Sequence, residues 1–244
     1  MKMTLLEMVQ DIHNDLDLDE INSIDDTVES AQVAQIIKTT FFAMMSNRNW
    51  PHLRQTVSLI PSGALARPTH MGVPNGIKEM VFINYNCVKK DSTRKVYRTM
   101  KWLEPDAFLR KANQLNNDSD NVDIILDTTG IELLIRNDKQ PDYYTSFDDN
   151  NIVFDSYDNE VDDTLQASKV QALAYIMPSW TTSDSFVPDL PQEAFTALLE
   201  EAKSRSALKL KQEADQKAEQ EAQRQQRWLS RKAWQVKGGI QYPT

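Results

Sequence analysis

The apolar positions near the start of the chain recur at helical intervals. Leu5, Leu6, Val9, Ile12 and Leu16 share one face of a helix predicted over residues 3–16, and the acidic stretch 15–20 ends it. A second, stronger helix follows. Asp26 with Glu29 three residues on reads as its cap, and Val33, Ile36, Ile37, Phe41, Met44 and Met45 carry its apolar face to Trp50-Pro51. Two amphipathic helices on a short acidic loop predict a hairpin with apolar surface to spare. From residue 53 the period changes to short β-prone runs at 56–60, 79–85, 96–102, 122–126, 132–135, 143–147, 151–157 and 172–176. Turn residues at 61–63, 73–76, 127–130 and 148–151 separate them, and a short helix is predicted at 105–115. The fold class predicted is α+β: an N-terminal helical hairpin (1–52) packed with a long C-terminal helix (191–244), plus an inserted antiparallel β domain (53–190).

The long helix is predicted as one run from Pro191 to Lys237, with Asp189 as cap and Gly238-Gly239 as the stop. At 1.5 Å per residue it reaches roughly 70 Å, too far for one small core to cover. Phe195, Leu198, Leu199 and Ala202 are spaced to bury its first turns. Between Lys211 and Gln226 the apolar residues are Ala214, Ala218 and Ala222, a narrow stripe. The tip then carries Arg224, Arg227, Arg231, Lys232 and Lys237 with no acidic residue, and Trp228 and Trp234 flank the arginine stripe on its two sides. Leu229 lies on a further face. A basic helix with apolar surface on more than one side is suited to a protein groove, and the closing segment with Ile240, Tyr242 and Pro243 extends that docking surface. The residues predicted to dock are therefore Arg224, Arg227, Trp228, Leu229, Arg231, Trp234, Ile240, Tyr242 and Pro243.

Charge sharpens this division. The net charge is −9, but residues 191–244 hold ten basic and seven acidic groups, a net +3, which leaves −12 on residues 1–190. An acidic body repels DNA, so it suits a wall past which DNA slides better than a general nucleic-acid binder. The single cysteine, Cys87, excludes an internal disulfide and reads as a buried thiol. Glu7 and Asp11 interrupt the first apolar stretch, so a signal peptide is not expected, and no membrane span is.

Catalytic chemistry is not predicted. There is no phosphate-cradling glycine loop, no nucleophile elbow and no zinc-protease pair, and His13, His52 and His70 lack zinc spacing. Asp155, Asp158, Glu160, Asp162 and Asp163 lack the glycine and terminal glutamate of a calcium loop and read as a solvated acidic turn. Trp50, Trp102 and Trp180 read as packing anchors. No catalytic residue, cofactor or metal is expected, and the protein is not expected to be an enzyme.

The hairpin ending in Ser46-Asn47-Arg48-Asn49-Trp50, the insertion with Tyr143–Asp149 and Val153–Tyr157, and Phe186-Val187-Pro188-Asp189-Leu190-Pro191 leading into the long helix make a familiar order. It resembles the head-to-tail adaptors of short-tailed bacteriophages, the tail tubular protein A type. The resemblance covers most of the chain as an order of elements, without a catalytic signature. It implies a dodecameric ring between portal and tail, in a virion assembled in the host cytoplasm. Each C-terminal segment docks on the portal protein, the next tail or nozzle protein sits on the opposite face, and DNA passes the lumen without sequence-specific binding. The chain is longer than the compact members, mostly in the β insertion and the helix, so subunit contacts there are not carried over. Two other readings stand beside it: a cell-wall glycan hydrolase of the virion, and a nucleic-acid-binding protein using the basic tip.

Overall fold

The computed structural model describes residues 2–89, 92, 94–116, 118–211, 220, 222–225 and 227. The protein is α+β, with helices beside antiparallel and mixed sheets. It divides into two compact units, residues 1–53 with 177–244, and residues 54–176.

In the first unit, helix α1 spans Leu5–Asp15. Thr4 starts it by accepting the Glu7 N–H, while the Glu7 carboxylate accepts the Thr4 N–H at 2.7 Å. Two more of the free N–H groups at this end are taken by the chain at 184–186, Leu5 N–H by Phe186 O and Leu6 N–H by Asp184 O. Leu5, Met8, Val9 and Ile12 are fully buried, each worth about 1.5–3 kcal/mol of transfer free energy.

Helix α2 spans Val28–Ser46. Its cap is Thr27, not Asp26: Thr27 is extended, and its side chain and that of Ser30 satisfy each other's N–H groups. The Asp26 carboxylate is occupied by the N–H groups of Asn22 and Ser23, at 2.6 and 2.8 Å. Trp50 closes the far end, buried, with its indole N–H on Met44 O.

The C-terminal helix also begins differently from the sequence expectation. Pro191 is extended, a 3-10 turn follows at Gln192–Ala194, and helix α4 spans Phe195–Ser206 without a side-chain cap. The Asp189 side chain is not the cap; its carbonyl accepts His52 Nε2–H at 3.2 Å. A π turn, Ala207–Lys211, then interrupts the α geometry. Residues 212–219, 221, 226 and 228–244 of the predicted run lie outside the described residues. α1, α2 and α4 share one core, in which Phe195, Leu198 and Ala202 meet Leu5, Ile12, Phe41 and Met45. Trp180 packs beside it, its ring 5.2 Å from Phe41 and 4.8 Å from Phe186.

Among the described residues the second unit holds eleven strands in three sheets. β1 (Arg54–Val57), β11 (Val170–Ile176), β4 (Ile77–Asn86) and β5 (Tyr97–Thr99) form an antiparallel sheet in that order. A second sheet runs β2 (Ile60–Pro61), β3 (His70–Gly72), β10 (Asn151–Phe154), β9 (Tyr143–Thr145) and β6 (Lys101–Trp102). β7 (Val122–Leu126) and β8 (Glu132–Arg136) make a hairpin. The sheets are not wholly antiparallel, because β6 runs parallel to β9. The cause is a strand that changes sheets: in the predicted run 96–102, buried Met100 gives its N–H to Ile83 O, and Lys101 then turns its N–H to Asp142 O. The predicted run 56–60 divides in the same way between β1 and β2. Helix α3 (Pro105–Ala112) packs Phe108 into a core with Tyr85, Phe154, Ile135 and Met71.

Candidate functional site

The best-anchored feature is the base of the C-terminal helix. The Lys203 ammonium on α4 lies 2.7 Å from Asp11 and 2.5 Å from Asp15, which stand one helical turn apart on α1. Burial opposes its charge, but the two carboxylates outweigh burial and hold its pKa above the usual lysine value. The π turn begins immediately after Ser206: its Ala207 is still in the buried core, Leu208 is 61% exposed, and Leu210 packs partly against that core. Insertions of this kind shift the phase of a helix at the point where they occur.

Of the residues predicted to dock, Arg224 and Arg227 are described. Both are helical and exposed, three positions apart and so on one side, with Ala222 buried nearby in sequence. Trp228, Leu229, Arg231, Trp234, Ile240, Tyr242 and Pro243 lie outside the described residues.

The second unit has a cleft of about 150 Å³ between α3 and β8, lined by Phe108, Ala112, Leu134, Lys111, Arg136 and Lys139 among others. Its cations are engaged. Lys111 pairs with Asp155 and lies 3.7 Å from the Tyr143 ring centre, Arg136 grips Asp138 through two bonds of 2.9 and 2.8 Å, and Lys139 pairs with Asp142. Asp155 is not part of a solvated turn, because it also accepts the N–H groups of Asp142 and Tyr143 at 3.0 and 2.9 Å. It holds β9 to the end of β10. Asp158 and Asp162 bind Gln140 and Lys169 in turn.

Thr69, His70 and Asp127 stand in the order of a proton relay, with the Thr69 hydroxyl 3.5 Å from His70 Nδ1 and His70 Nε2 2.8 Å from Asp127 Oδ1. All three are at most 2% exposed, so no substrate reaches them. Burial holds the His70 pKa down, with Asp127 opposing only in part. Burial alone would raise Asp127, but its bonds from Thr129 and His70 outweigh that and hold it low. The two directions fit one state: a neutral imidazole giving Nε2–H to a carboxylate. Asp127 also takes the N–H and hydroxyl of Thr129, so the constellation fastens the β7–β8 turn to β3. Sequence offered no signal for a pair fifty-seven positions apart. For Lys203 the i, i+4 aspartates of α1 were the available signal.

Cys87 is buried, and burial raises its thiol pKa, the reverse of what a nucleophile needs. Among the described residues no group of three or more His, Cys, Asp or Glu side chains is placed to hold a metal ion, and no helix is long and apolar enough to cross a membrane. No protein-family model matches the chain, and no curated protein matches it.

Proposed function

We propose that the protein is a structural head-to-tail adaptor of a bacteriophage virion, twelve copies forming a ring between portal and tail. In this reading α1 and α2 are the hairpin that packs with the long C-terminal helix, residues 54–176 are the inserted β domain, and the tip docks on the portal. The next tail or nozzle protein binds the opposite face. DNA passes the acidic wall without base-specific contact, and the protein performs no catalysis, needs no cofactor and inserts into no membrane.

The observation that carries the reading is the anchored helix. α4 is buried in the α1–α2 core and fastened by Lys203, while helical residues further on present Arg224 and Arg227 to solvent. A helix base held firmly in a core, with exposed arginines on helical residues further along the chain, suits a docking arm. The resemblance of the element order supports the same assignment.

Light scattering of the purified chain with and without purified portal ring tests it. Binding of about twelve copies per ring, lost when residues 224–244 are deleted, is the expected result. Failure to bind portal, together with binding to DNA or turnover of cell-wall glycan, would replace the adaptor by one of the other two readings.

A further inference from the structure

Among the described residues β7 has no neighbour on its outer edge. The phase of the ladder decides which groups face outward. Asp127 N–H bonds to Ile131 O and Asn137 N–H to Asn121 O, so odd-numbered residues of β7 bond toward β8. Val122, Ile124 and Leu126 turn their N–H and C=O groups to the open edge. Two of these six groups are satisfied within the chain: Val122 N–H by Ser119 O at 3.0 Å, and Leu126 O by Arg67 Nε at 3.1 Å. Among the described residues four remain, namely Val122 O, Ile124 N–H, Ile124 O and Leu126 N–H.

We infer that this edge pairs with the same edge of a second copy, antiparallel, about a two-fold axis at Ile124. In that register the two Ile124 residues exchange N–H and C=O, and each Leu126 N–H meets Val122 O of the second copy. All four open groups on each copy are used. The register also sets Val122 N–H opposite Leu126 O of the second copy; both keep their internal partners, Ser119 O and Arg67 Nε, so the pairing rests on the other four groups.

The side chains agree with the backbone. Ile124 is 59% and Leu126 53% exposed, on one face of the hairpin, so Ile124 lies beside Ile124 and Leu126 beside Val122 with no charge in the rows. Charge appears at the ends with matching sign. Arg67, seated on Leu126 O, faces the exposed Asp118 and Asp120 that precede Val122 of the second copy, and the axis repeats this contact. The outward face of this edge has no lysine or proline, and the one charge in β7, Asp123, is engaged by Asn137 and Tyr157; such edges are ones that natural sheets keep covered. A two-fold contact closes on itself and cannot join ring neighbours head to tail, so the inference stands apart from the adaptor reading.

The contact is well short of the roughly 800 Å² a side of a stable interface. Sedimentation of the full chain should therefore show a reversible dimer at tens to hundreds of micromolar, weakening as salt rises. Ile124→Arg, at an exposed site, should raise its Kd about tenfold or more without changing the melting temperature. Under mild oxidation Ile124→Cys should link copies, and so should Val122→Cys mixed with Leu126→Cys. Val122→Cys alone should not, because its two copies lie roughly 14 Å apart along the strands. A monomer across that range, or a dimer untouched by Ile124→Arg, would overturn the pairing. Equal linkage by Val122→Cys alone would overturn the register.

Discussion

Lys203 on α4 reaches Asp11 on α1, Nζ to Oδ2, at 2.7 Å, and the same ammonium closes on Asp15 one turn further along. The lysine side chain is 15% exposed and the two carboxylates 41% and 53%, so the contact has one sheltered partner and two wet ones. It fastens α4 to the first helix of the chain, just before the π turn.

Replacing Lys203 with Met keeps the packing of its stem and removes the charge. The cost should be about 1 kcal/mol, the upper end for exposed pairs, seen as a lower urea midpoint with unchanged slope. The pKa of Lys203 is raised in the folded protein, so its contribution is fully present below the ordinary lysine value of 10.5. It is lost as pH rises through the higher folded value. Wild type and Lys203→Met should differ by a constant amount from neutral pH up to about pH 10 and converge above it.

Asp127→Ala leaves His70 Nε2–H without its acceptor in a buried place and removes the bonds from exposed Thr129, and should cost about 3 kcal/mol by chemical denaturation. Both partners set the same acid dependence. His70 is depressed in the folded state, so stability falls as pH drops below the ordinary imidazole value of 6.5, where the unfolded chain takes a proton that the native state refuses. Asp127 is also depressed, so its share is present above the ordinary value of 3.8 and lost as pH falls through the folded value. His70→Asn should flatten the melting temperature between about pH 7 and 5, relative to wild type.

The tryptophans should separate by burial. Trp50, 4% exposed and bonded to Met44 O, should cost about 3–5 kcal/mol on change to Ala. Trp102, 46% exposed and touching Tyr144 edge-on at 5.3 Å, should cost less than about 1.5 kcal/mol in thermal or urea unfolding.

At the tip, the adaptor reading predicts two classes of portal-binding defect. Trp228→Ala and Trp234→Ala should each weaken co-sedimentation with portal by about 2 kcal/mol, roughly thirtyfold, at any ionic strength. Arg224→Gln and Arg227→Gln should slow association at low salt and approach wild type as salt rises. An arginine effect that survives high salt while the tryptophan changes are silent would remove the groove-docking model.

What the sequence determined by itself is what local periodicity can encode. Leu5, Val9 and Ile12, then Ile37, Phe41 and Met45, name the faces of α1 and α2, because each helix must bury its own stripe whatever it meets. The turns carrying Gly76 and Gly130, with φ of 83° and 84°, were legible for the same reason, since few other residues take that backbone. Tertiary structure decided the rest. β3 is three residues with no period to read, and it exists because β2 and β10 flank it. Met100 turns one β-prone run into two strands because its side chain is needed in the core. Thr27 displaced Asp26 as a cap because Asp26 found nearer N–H groups in the preceding loop. Lys203 with Asp11, and His70 with Asp127, join residues whose separation is set by the path of the whole chain. A pattern records which residues must be covered; only closing the fold determines what covers them.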